Sequence, residues 1–552
     1  MKGIVIIIIT AMLLGAADVS AQDYEIEIPT ARAGDISRIS RAVSIDNIRD
    51  GVIHAYANES ELMELRTLLP SYAYRVQGMS LSKSADYLDM ADNIESMRDW
   101  AHYPTYEAYV SMMQDFAARN PNLAELVDIG ESAEGRSLLA LRITGDGDTL
   151  MRPRVLLTST MHGDETCGFI LCLRLIDFLL ENYGTHEMAT RIINNTVLYI
   201  NPLANPDGTY HDGNHTVTGA RRYNANNVDL NRNFPQLGAL AKGAQNLEPE
   251  TVAMMKFAES RRFALSANMH GGDEVLNYPW DSFYEYEMRL ADKDWFVDIC
   301  RQYIDTLRTF ASNSMMSVTP DGYVFGSEWY KVTGGRQDWM LYSQRCREIT
   351  IELSNIKLLR CDLLESYWQR NRDALMMYVC NALQGISGQV TDINGNPIEA
   401  HIYLDGHDAN YSSVVCDRAG VFTRLTLAGE SYNVCAVADG YETQCRAVST
   451  SKNELSTADF VLNAGKSEYT AVGETKAPPK LQISVHDGFI DISSSMVIDR
   501  VDIADMLGRN VLSSCPRSDI FMSNTYNLAD GIYVIKIQTG GVVTSSKITI
   551  TK

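Results

Sequence analysis

The spacing of apolar and polar residues predicts a long middle region in which strands and helices alternate. Between residues 98 and 383, short apolar runs typical of buried strands are followed by longer stretches typical of helices. The predicted strands are 154–160, 196–200, 264–269 and 348–353, and the predicted helices are 105–120, 166–182, 250–260 and 361–383. Strands with consecutive apolar residues are usual in sheets covered on both faces. The pattern therefore predicts an α/β layer fold with a largely parallel or mixed sheet.

After residue 383 the helical pattern ends, and short strands separated by turns remain. Residues 384–463 contain turn sequences such as Ile393-Asn-Gly-Asn-Pro397, which predict a small β-sandwich. Residues 464–480 are polar and include Pro478-Pro479, so they are predicted to form a linker. Residues 481–552 predict a second small all-β unit of the same kind.

The N-terminal part of the chain has two predicted segments. Residues 1–21 combine Lys2, an apolar run over 4–16 and Val19-Ser20-Ala21, a pattern typical of a secretory signal peptide. Residues 22–97 predict a small α/β region, with a strand at 52–56 and a helix at 59–69. This region is either a propeptide or a fixed structural appendage.

Charge and cysteine content narrow the classes of function. The formal net charge of −22 argues against a nucleic-acid partner, because phosphate binding needs a basic surface. No CxxC pair occurs among the 10 cysteines, so a cysteine-rich zinc site is not expected. Cys167 and Cys172 fall on an apolar helical run and are predicted to lie in the core. Disulfide pairing does not follow from the sequence.

Histidine and glutamate residues follow two of the predicted strands. His162 and Glu165 come directly after the strand 154–160, and His270 ends the strand 264–269 beside two glycines. Loops at the carboxyl ends of strands are the usual place for sites in α/β sheets. Catalytic zinc takes three such ligands and keeps one position for water. A polar surface turn is the alternative for the first pair, and a satisfied core or loop histidine is the alternative for His270.

Two further segments suggest catalysis and substrate recognition. In the strand 348–353, Glu348 and Glu352 lie opposite the isoleucines by the period of two. A carboxylate there is costly unless it is paired or functional, so Glu352 is a candidate general base. Glu348 is better explained as a charge on an edge strand. The segment 221–235 is rich in Arg and Asn and suits recognition of a terminal carboxylate, unless it is an exposed polar loop.

The middle region resembles the zinc metallocarboxypeptidases of the carboxypeptidase A/B/N/E superfamily. The motifs that carry the resemblance, in order, are HGDE (162–165), NPDG (205–208), RYNANNVDLNRNFP (222–235), EPET (248–251), NMHGGDEVLNYPWD (268–281), WYKVTGGRQDW (329–339) and EITIELS (348–354). The forms HGG, YPWD and EITIELS are similar to the N/E branch. The resemblance implies an α/β/α catalytic domain with a mixed sheet over residues 98–383.

The resemblance also assigns roles to individual residues. It implies that one zinc ion is held by His162, Glu165 and His270. Glu352 is implied as the general base for the attacking water, and Arg222 as the residue that stabilises the oxyanion.

Substrate contacts are implied in the same way. Asn231 and Arg232 are expected to bind the terminal carboxylate of the substrate, and Tyr330 to close over the substrate. Asp229 is expected to orient His162 through its second ring nitrogen. Asp281 and Gln337 match positions in the pocket for the released side chain, so release of Lys or Arg is predicted. If Asp281 is instead a turn residue, neutral residues are favoured.

Two positions depart from the family pattern. Arg221 stands where many relatives have Gly, and Asn355 stands where many N/E-branch members have Cys. Neither position has a catalytic role, but the second removes a familiar disulfide partner for Cys346.

The remaining parts of the chain carry resemblances of their own. Residues 384–463 resemble the transthyretin-like β-sandwich that follows the catalytic domain in the N/E branch. Residues 481–552 resemble a type IX secretion sorting domain, unless they are a third β-sandwich without a sorting role. We therefore expect a secreted or cell-surface monomer that acts on peptide or protein C-termini and contacts the secretion machinery. The alternatives are a zinc amidohydrolase acting on cell-wall peptides and a non-catalytic binding protein on the same fold.

Overall fold

A computed structural model gives the fold of two compact units, residues 1–80 and residues 81–552. The structure describes residues 24–29, 36, 39–40, 42–49, 51–68, 75–78, 87–236, 246–409, 411–465, 481–486, 489–505, 509–514, 518–524, 528–529, 531–539 and 542–550. The predicted signal peptide and residues 466–480 of the predicted linker 464–480 lie outside these ranges.

The first unit is a small antiparallel sheet with one described helix. Its elements are β1 (Tyr24–Pro29), β2 (Ser44–Arg49), β3 (Val52–Ala57), α1 (Glu59–Leu68) and β4 (Arg75–Gly78). The strand order is β2-β3-β1-β4. In β3 every second residue is buried, which is the pattern of a sheet with one covered face. The predicted strand at 52–56 and helix at 59–69 correspond to β3 and α1.

The second unit begins earlier than the sequence analysis placed it. Ala91 and Met97 belong to the main core of this unit, although residues 22–97 were expected to form one N-terminal region. The strands that follow are β5 (Met90–Ala91), β6 (Tyr103–Pro104), β7 (Ala124–Glu131), β8 (Ser137–Ile143), β9 (Arg154–Ser159), β10 (Val197–Asn201), β11 (Leu265–His270), β12 (Glu274–Tyr278), β13 (Tyr323–Phe325) and β14 (Arg347–Leu353).

Helices of the second unit accompany the central sheet. They are α2 (Tyr106–Arg119), α3 (Cys167–Glu181), α4 (Glu187–Asn195), α5 (Pro206–Thr209), α6 (Pro249–Arg261), α7 (Lys293–Phe310), α8 (Gly326–Trp329), α9 (Arg336–Tyr342) and α10 (Leu364–Cys380). Short 3-10 turns cover Glu95–Met97, Leu230–Arg232, Cys361–Leu363 and Asn381–Leu383. No described helix is long and apolar enough to cross a membrane.

The central sheet is mixed and has the strand order β13-β12-β14-β11-β9-β10-β8-β7. Strands β10, β9, β11 and β14 run parallel to one another, whereas β12 is antiparallel to β14 and β8 is antiparallel to β10. The prediction of an α/β fold with a mixed sheet is therefore confirmed. Because β9, β11 and β14 are parallel neighbours, the residues that follow them meet at one edge of the sheet.

Helix α3 shows why the apolar runs were predictable. Its sequence CGFILCLRLIDFLLE buries 11 residues, including Cys167 and Cys172, as predicted. A helix that is apolar on most sides packs between other elements rather than against water. Its boundaries agree with the prediction to within one residue at each end, and Thr166 and Asn182 are the flanking cap residues.

Residues 385–462 form a β-sandwich with two sheets around one core. The strands are β15 (Gly385–Asp392), β16 (His401–Asp405), β17 (Val414–Val415), β18 (Val421–Leu425), β19 (Ser431–Val437), β20 (Gln444–Ser449), β21 (Leu455–Thr457) and β22 (Phe460–Leu462). One sheet is β18-β15-β21 with β22, and the other is β17-β16-β19-β20. Cys435 and Cys445 face each other across β19 and β20 and form a disulfide.

The C-terminal residues form an antiparallel β unit with its own core. Its strands are β23 (Leu481–His486), β24 (Phe489–Asp505), β25 (Asn510–Ser514), β26 (Ser518–Asn524), β27 (Gly531–Thr539) and β28 (Val542–Ile550). The long strand β24 pairs with β23 and β26 mainly through its first half, and with β25 and β27 mainly through its second half.

Candidate functional site

The three predicted metal ligands converge at the carboxyl edge of the central sheet. His162 and Glu165 lie in the turn between β9 and α3, and His270 is the last residue of β11. All three side chains are buried. Gly272, just beyond His270, has a φ of 121°, which is a backbone conformation that favours glycine. The chain can therefore turn sharply away from the site after His270.

The donor atoms of these residues lie close enough to share one cation. Glu165 Oε1 lies 3.0 Å from His162 Nδ1, and Glu165 Oε2 lies 2.8 Å from His270 Nδ1. The two Nδ1 atoms are 3.1 Å apart. One ligand atom from each residue lies within 4.8 Å of the others. The backbone N–H of Gly271 also donates to Glu165 Oε2, at 3.1 Å.

Each imidazole ring is held through its second nitrogen. His162 Nε2 lies 3.1 Å from Asp229 Oδ1, and His270 Nε2 lies 2.7 Å from Asn268 Nδ2. Contacts of this kind fix the orientation and the tautomer of a ligating histidine. When Nδ1 binds a metal, Nε2 carries the proton. Asn268 must then present its amide oxygen to His270.

Two of the three candidate ligands have pKa shifts towards the protonation state that metal binding requires. Burial raises the pKa of Glu165, but the nearby His162, Lys357 and His270 hold it well below its ordinary value, so the carboxylate is ionised. Burial lowers the pKa of His270 to about 4, which leaves this imidazole neutral at neutral pH. For His162, burial and Arg222 lower the pKa, whereas Glu165 and Asp229 raise it, and the net shift is upward.

This donor set fits zinc. Two imidazole nitrogens and one carboxylate oxygen are a known ligand set for catalytic zinc, with the fourth position left to water. A second group with metal-type spacing contains Asp292, His407 and Asp408. There, Arg424 Nη2 lies 2.7 Å from Asp292 Oδ1 and 2.5 Å from Asp408 Oδ1. Arg347 Nη2 also lies 2.7 Å from Asp292 Oδ2. Two guanidinium groups therefore balance the two carboxylates, so this second group is a structural ion cluster.

The predicted base and the predicted oxyanion residue flank the centre. Glu352 on β14 is the register partner of His270 on β11, so both side chains project from the same face of the parallel pair. Arg222 is buried and donates from Nε to Asp229 Oδ2 at 3.0 Å. Its Nη1 lies 3.5 Å from Glu165 Oε1. Asp229 therefore contacts both a predicted metal ligand, His162, and Arg222.

Asn231 and Arg232 lie in the 3-10 turn that follows Asp229. The backbone N–H of Asn231 donates to Asp229 Oδ1 at 2.8 Å. Asn231 Oδ1 accepts from the backbone N–H of Arg336 at 3.0 Å. Arg232 Nη1 donates to the carbonyl of Asn231, whereas its Nε and Nη2 are buried without a hydrogen-bond partner among the described residues. Two guanidinium donors are thus available to an anionic group.

Asp281 and Gln337 form a buried polar pair near this turn. Gln337 Nε2 and Asn277 Nδ2 each donate to Asp281 Oδ1 at 3.0 Å. A Cβ on Gly326 would lie 2.0 Å from Asp281 Oδ1, so only glycine allows this approach. Burial, followed by the neighbouring carboxylate of Asp338, raises the pKa of Asp281 well above its ordinary value.

Tyr330 lies directly after α8 and is half-buried. Its ring contacts that of Trp329, with 4.8 Å between the centroids. The structure thus places this residue at the end of a short helix that begins beside Asp281, since α8 starts at Gly326.

Some residues of the site were not foreseen from the sequence. Lys357 Nζ lies 3.3 Å from Glu165 Oε1, and Asn268 contacts His270. Asn268 stands two residues before His270 in the same strand, so the period of two was a signal for it. Lys357 follows the strand that carries Glu352, but its sequence context gave no comparable signal.

The prediction for Glu348 was wrong. Strand β14 lies between β11 and β12 rather than at an edge, and Glu348 is fully buried. It pairs with Arg336, whose Nη2 lies 2.7 Å from Glu348 Oε2. A buried carboxylate of this kind is retained because it is paired with a cation and hydrogen-bonded.

Comparisons with known proteins agree with this geometry. A family model described as zinc carboxypeptidase matches residues 109–374, and a model described as a secretion system C-terminal sorting domain matches residues 480–551. Carboxypeptidase SOL1 of Arabidopsis thaliana is 32% identical over 367 residues, which cover 65% of this chain and 72% of that protein. Carboxypeptidase D of Drosophila melanogaster is 33% identical over 418 residues, which cover 72% of this chain but 29% of that protein.

The fold is also found among solved structures. Carboxypeptidase A from Helicoverpa armigera matches with a TM-score of 0.51 and 18% sequence identity, over 66% of this chain and 98% of that chain. At this level of identity the match shows a shared fold.

Proposed function

This chain belongs to the zinc carboxypeptidase family, and from that premise we propose that it releases single Lys or Arg residues from the C-termini of peptides and proteins. Family membership makes the protein a metallocarboxypeptidase, a hydrolase of peptide bonds. The sorting domain implies export to the cell surface or the extracellular space. We propose that the protein acts at the C-terminus of its substrates, that it prefers Lys and Arg, and that individual residues have the roles given below.

The observation that carries the proposal is the series of contacts made by Asp229. Its Oδ1 lies 3.1 Å from His162 Nε2 and 2.8 Å from the backbone nitrogen of Asn231, and its Oδ2 accepts from Arg222. One carboxylate thus fixes a metal ligand, the oxyanion residue and the carboxylate-binding turn relative to one another. A peptide whose terminal carboxylate lies on Asn231 and Arg232 has its last peptide bond near the metal centre. This arrangement favours exopeptidase over endopeptidase activity.

The chemistry divides between the metal and the protein. His162, Glu165 and His270 would hold the zinc ion, which would supply Lewis acidity for the scissile carbonyl and would lower the pKa of a bound water to about 7 in favourable sites. Glu352 takes the proton of the attacking water and later gives it to the leaving amine. Arg222, held by Asp229, donates to the oxyanion that develops on the carbonyl oxygen when water adds to the carbonyl carbon. Tyr330 closes over the bound peptide and excludes water.

Specificity rests on Asp281. A buried carboxylate that accepts two amide hydrogen bonds can also pair with the cation of a Lys or Arg side chain. Bringing a cation beside it also lowers its raised pKa, so binding and ionisation favour each other. A neutral residue in the same pocket provides no such compensation. Gln337 keeps the carboxylate in place.

The remaining segments have proposed roles in export and maturation. Residues 1–21 are proposed to be a signal peptide. The sorting domain is proposed to engage the secretion machinery and to be removed after export. The predicted N-terminal region covers residues 22–97. We propose that its residues 22–80, which lie in the first compact unit, are a propeptide or a structural appendage.

The test is hydrolysis of matched peptides that differ in the last residue. Peptides ending in Lys, Arg, Phe or Glu are incubated with the full chain, and the released amino acid is quantified with and without a chelator. Lys and Arg are expected to be released fastest, and the chelator is expected to abolish release. Peptides with an amidated C-terminus are expected to be cleaved poorly, because Arg232 loses its anionic partner.

Each part of the proposal has its own contradicting result. Release that survives chelation would remove the metal assignment. Equal cleavage of amidated and free peptides would remove the roles of Asn231 and Arg232 and would favour an amidohydrolase. Preferred release of Phe would remove the assignment of Asp281.

A further inference from the structure

Arg336 and Glu348 form a buried ion pair on the face of the central sheet from which His270 projects. Arg336, the first residue of α9, is fully buried. Its Nε and Nη2 donate to Glu348 at 3.1 and 2.7 Å. Its Nη1 donates to Thr158 Oγ1. The guanidinium is therefore fixed by Glu348 and directs one donor at a hydroxyl on β9.

Thr158 connects this ion pair to a metal ligand. Thr158 Oγ1 donates to Asn268 Oδ1 at 3.0 Å, and Asn268 Nδ2 lies 2.7 Å from His270 Nε2. Thr158 and Asn268 are register partners on the parallel strands β9 and β11. All members of this chain of contacts are buried, so water does not compete for the hydrogen bonds.

We propose that Thr158 and Arg336 are positioning residues for the zinc ligand His270, acting through the amide of Asn268. The proposal rests on the zinc site of the proposed function. The side chains of Thr158 and Arg336 contact Asn268, Glu348 and each other, rather than the proposed zinc ligands or substrate-binding residues. Their effect is to hold Asn268, and Asn268 holds the imidazole.

Thr158 is suited to this task because a hydroxyl both donates and accepts. In the contacts above, Asn268 turns its oxygen to Thr158 and its nitrogen to His270. With a metal on Nδ1 of His270, Nε2 carries the proton and needs the oxygen of Asn268, so the amide turns over. The hydroxyl then accepts from Asn268 Nδ2, since serine and threonine oxygens have two lone pairs. Thr158 therefore satisfies Asn268 in both orientations.

Two substitutions at one position separate this role from packing. Thr158→Val keeps the shape of the side chain but removes the hydroxyl, whereas Thr158→Ser keeps the hydroxyl. The zinc dissociation constant of the full chain is measured by competition with a chelator. Thr158→Val is expected to weaken zinc binding by about 10-fold, the lower end of the cost of losing a direct contact to a metal ligand, because Thr158 acts on His270 only through Asn268. The zinc dissociation constant of Thr158→Ser is expected to stay within about threefold of the wild-type value, because serine keeps the hydroxyl that contacts Asn268.

Ser266, which contacts Glu348 but not Thr158 in the described hydrogen bonds, provides a control variant. Ser266 Oγ donates to Glu348 Oε2 at 2.5 Å and lies on β11 four residues before His270. Ser266→Ala removes a contact of Glu348 but leaves Thr158 and Asn268 in place, so zinc affinity is expected to be unchanged. Cobalt substitution gives a second readout: the visible spectrum is expected to change in Thr158→Val and not in Ser266→Ala.

The outcomes distinguish this inference from the proposed function. A wild type that binds zinc together with a Thr158→Val variant of equal zinc affinity and an unchanged cobalt spectrum would overturn the positioning role alone. Equal weakening by Thr158→Val and Ser266→Ala would overturn it too, because the effect would then be general to the buried cluster. A wild type that binds no zinc would overturn the metal assignment itself, and this inference with it.

Discussion

His270 and Glu352 are direct neighbours across two parallel strands, as Cα partners of β11 and β14. The register places a proposed metal ligand and a carboxylate side by side on one face, at the edge where the turn after β9 brings His162 and Glu165. Strand pairing, which is more rigid than a loop, therefore holds the proposed base at a fixed position relative to the proposed metal ligand.

The first prediction concerns Glu352. Glu352→Gln keeps the size of the side chain but removes its basicity, so kcat is expected to fall by about 10²- to 10⁴-fold. Zinc content is expected to stay at the wild-type level, because Glu352 is not one of the three proposed zinc ligands. Turnover of a peptide ending in Lys and metal analysis on the same sample check this. Undiminished turnover would contradict the role.

The neighbouring glutamate gives a contrast to this variant. Glu348→Gln on the same face of β14 is expected to lower the free energy of unfolding by about 3–5 kcal/mol, since it leaves Arg336 buried without its charge partner. Urea unfolding of both variants measures the difference. Comparable stability of Glu348→Gln and the wild type would show that the ion pair does not support the strand.

The third prediction concerns Asp281. Asp281→Asn keeps the shape of the pocket and removes its charge. The preference for Lys over Phe, measured as a ratio of kcat/KM values, is expected to fall by about 10- to 150-fold, which corresponds to ~1.5–3 kcal/mol for a hydrogen bond to a charged group. Asp294→Asn, at an exposed position on α7, is the matched control and is expected to leave the ratio unchanged. An unaltered ratio in Asp281→Asn would place the pocket elsewhere.

The pH dependence of this preference follows from the raised pKa of Asp281, caused by burial and by Asp338. A carboxyl with a raised pKa is neutral below that pKa and charged above it. The Lys-to-Phe ratio is therefore expected to rise as the pH is increased through the raised pKa and to decline as the pH falls. Measurement from about pH 4 to about pH 9 covers the range of a raised carboxyl pKa. Asp281→Asn is expected to flatten the profile; a ratio that rises towards acid would contradict this assignment.

The β-sandwich is predicted to stabilise the catalytic domain through Arg424. Its guanidinium contacts Asp292 and Asp408, while Arg347 Nη2 lies 2.7 Å from Asp292 Oδ2. Arg424→Met leaves Asp408 buried without its guanidinium partner and Asp292 with Arg347 alone, so the free energy of unfolding is expected to fall by about 3–5 kcal/mol. Arg418→Met, at an exposed position of the same sandwich, is the control. Equal stability of the two variants would mean that the cluster contributes little.

Much of the framework was predictable because the buried strands and helices have clear patterns. The runs around 155–157, 197–200 and 167–180 are almost wholly apolar, so burial alone determines their place. Helix α7 was not predicted, although its buried residues recur at helical spacing, as in Trp295, Ile299, Tyr303 and Leu307. A signal was present there. Strands β12 and β13 have five and three residues and offer too short a pattern.

The clustering of the three candidate metal ligands could be predicted from the sequence, whereas contacts that depend on packing between distant segments could not. His162, Glu165 and His270 follow strands, and strand ends meet in parallel sheets. The prediction for Glu348 was wrong because alternation along a strand shows which face a residue is on, but not whether the strand lies at the edge or in the interior of the sheet. The contacts of Thr158 and Arg336 depend on packing between segments 178 residues apart, which no local pattern reveals.

The central claim is that His162, Glu165 and His270 together hold one zinc ion. Metal analysis of the full chain and of His270→Ala, both incubated with zinc and dialysed, tests it most directly. About one zinc per wild-type chain is expected, and His270→Ala is expected to retain a small fraction of that amount, because catalytic zinc sites need three protein ligands. A wild type without zinc, or a His270→Ala variant that retains as much zinc as the wild type, would contradict the account.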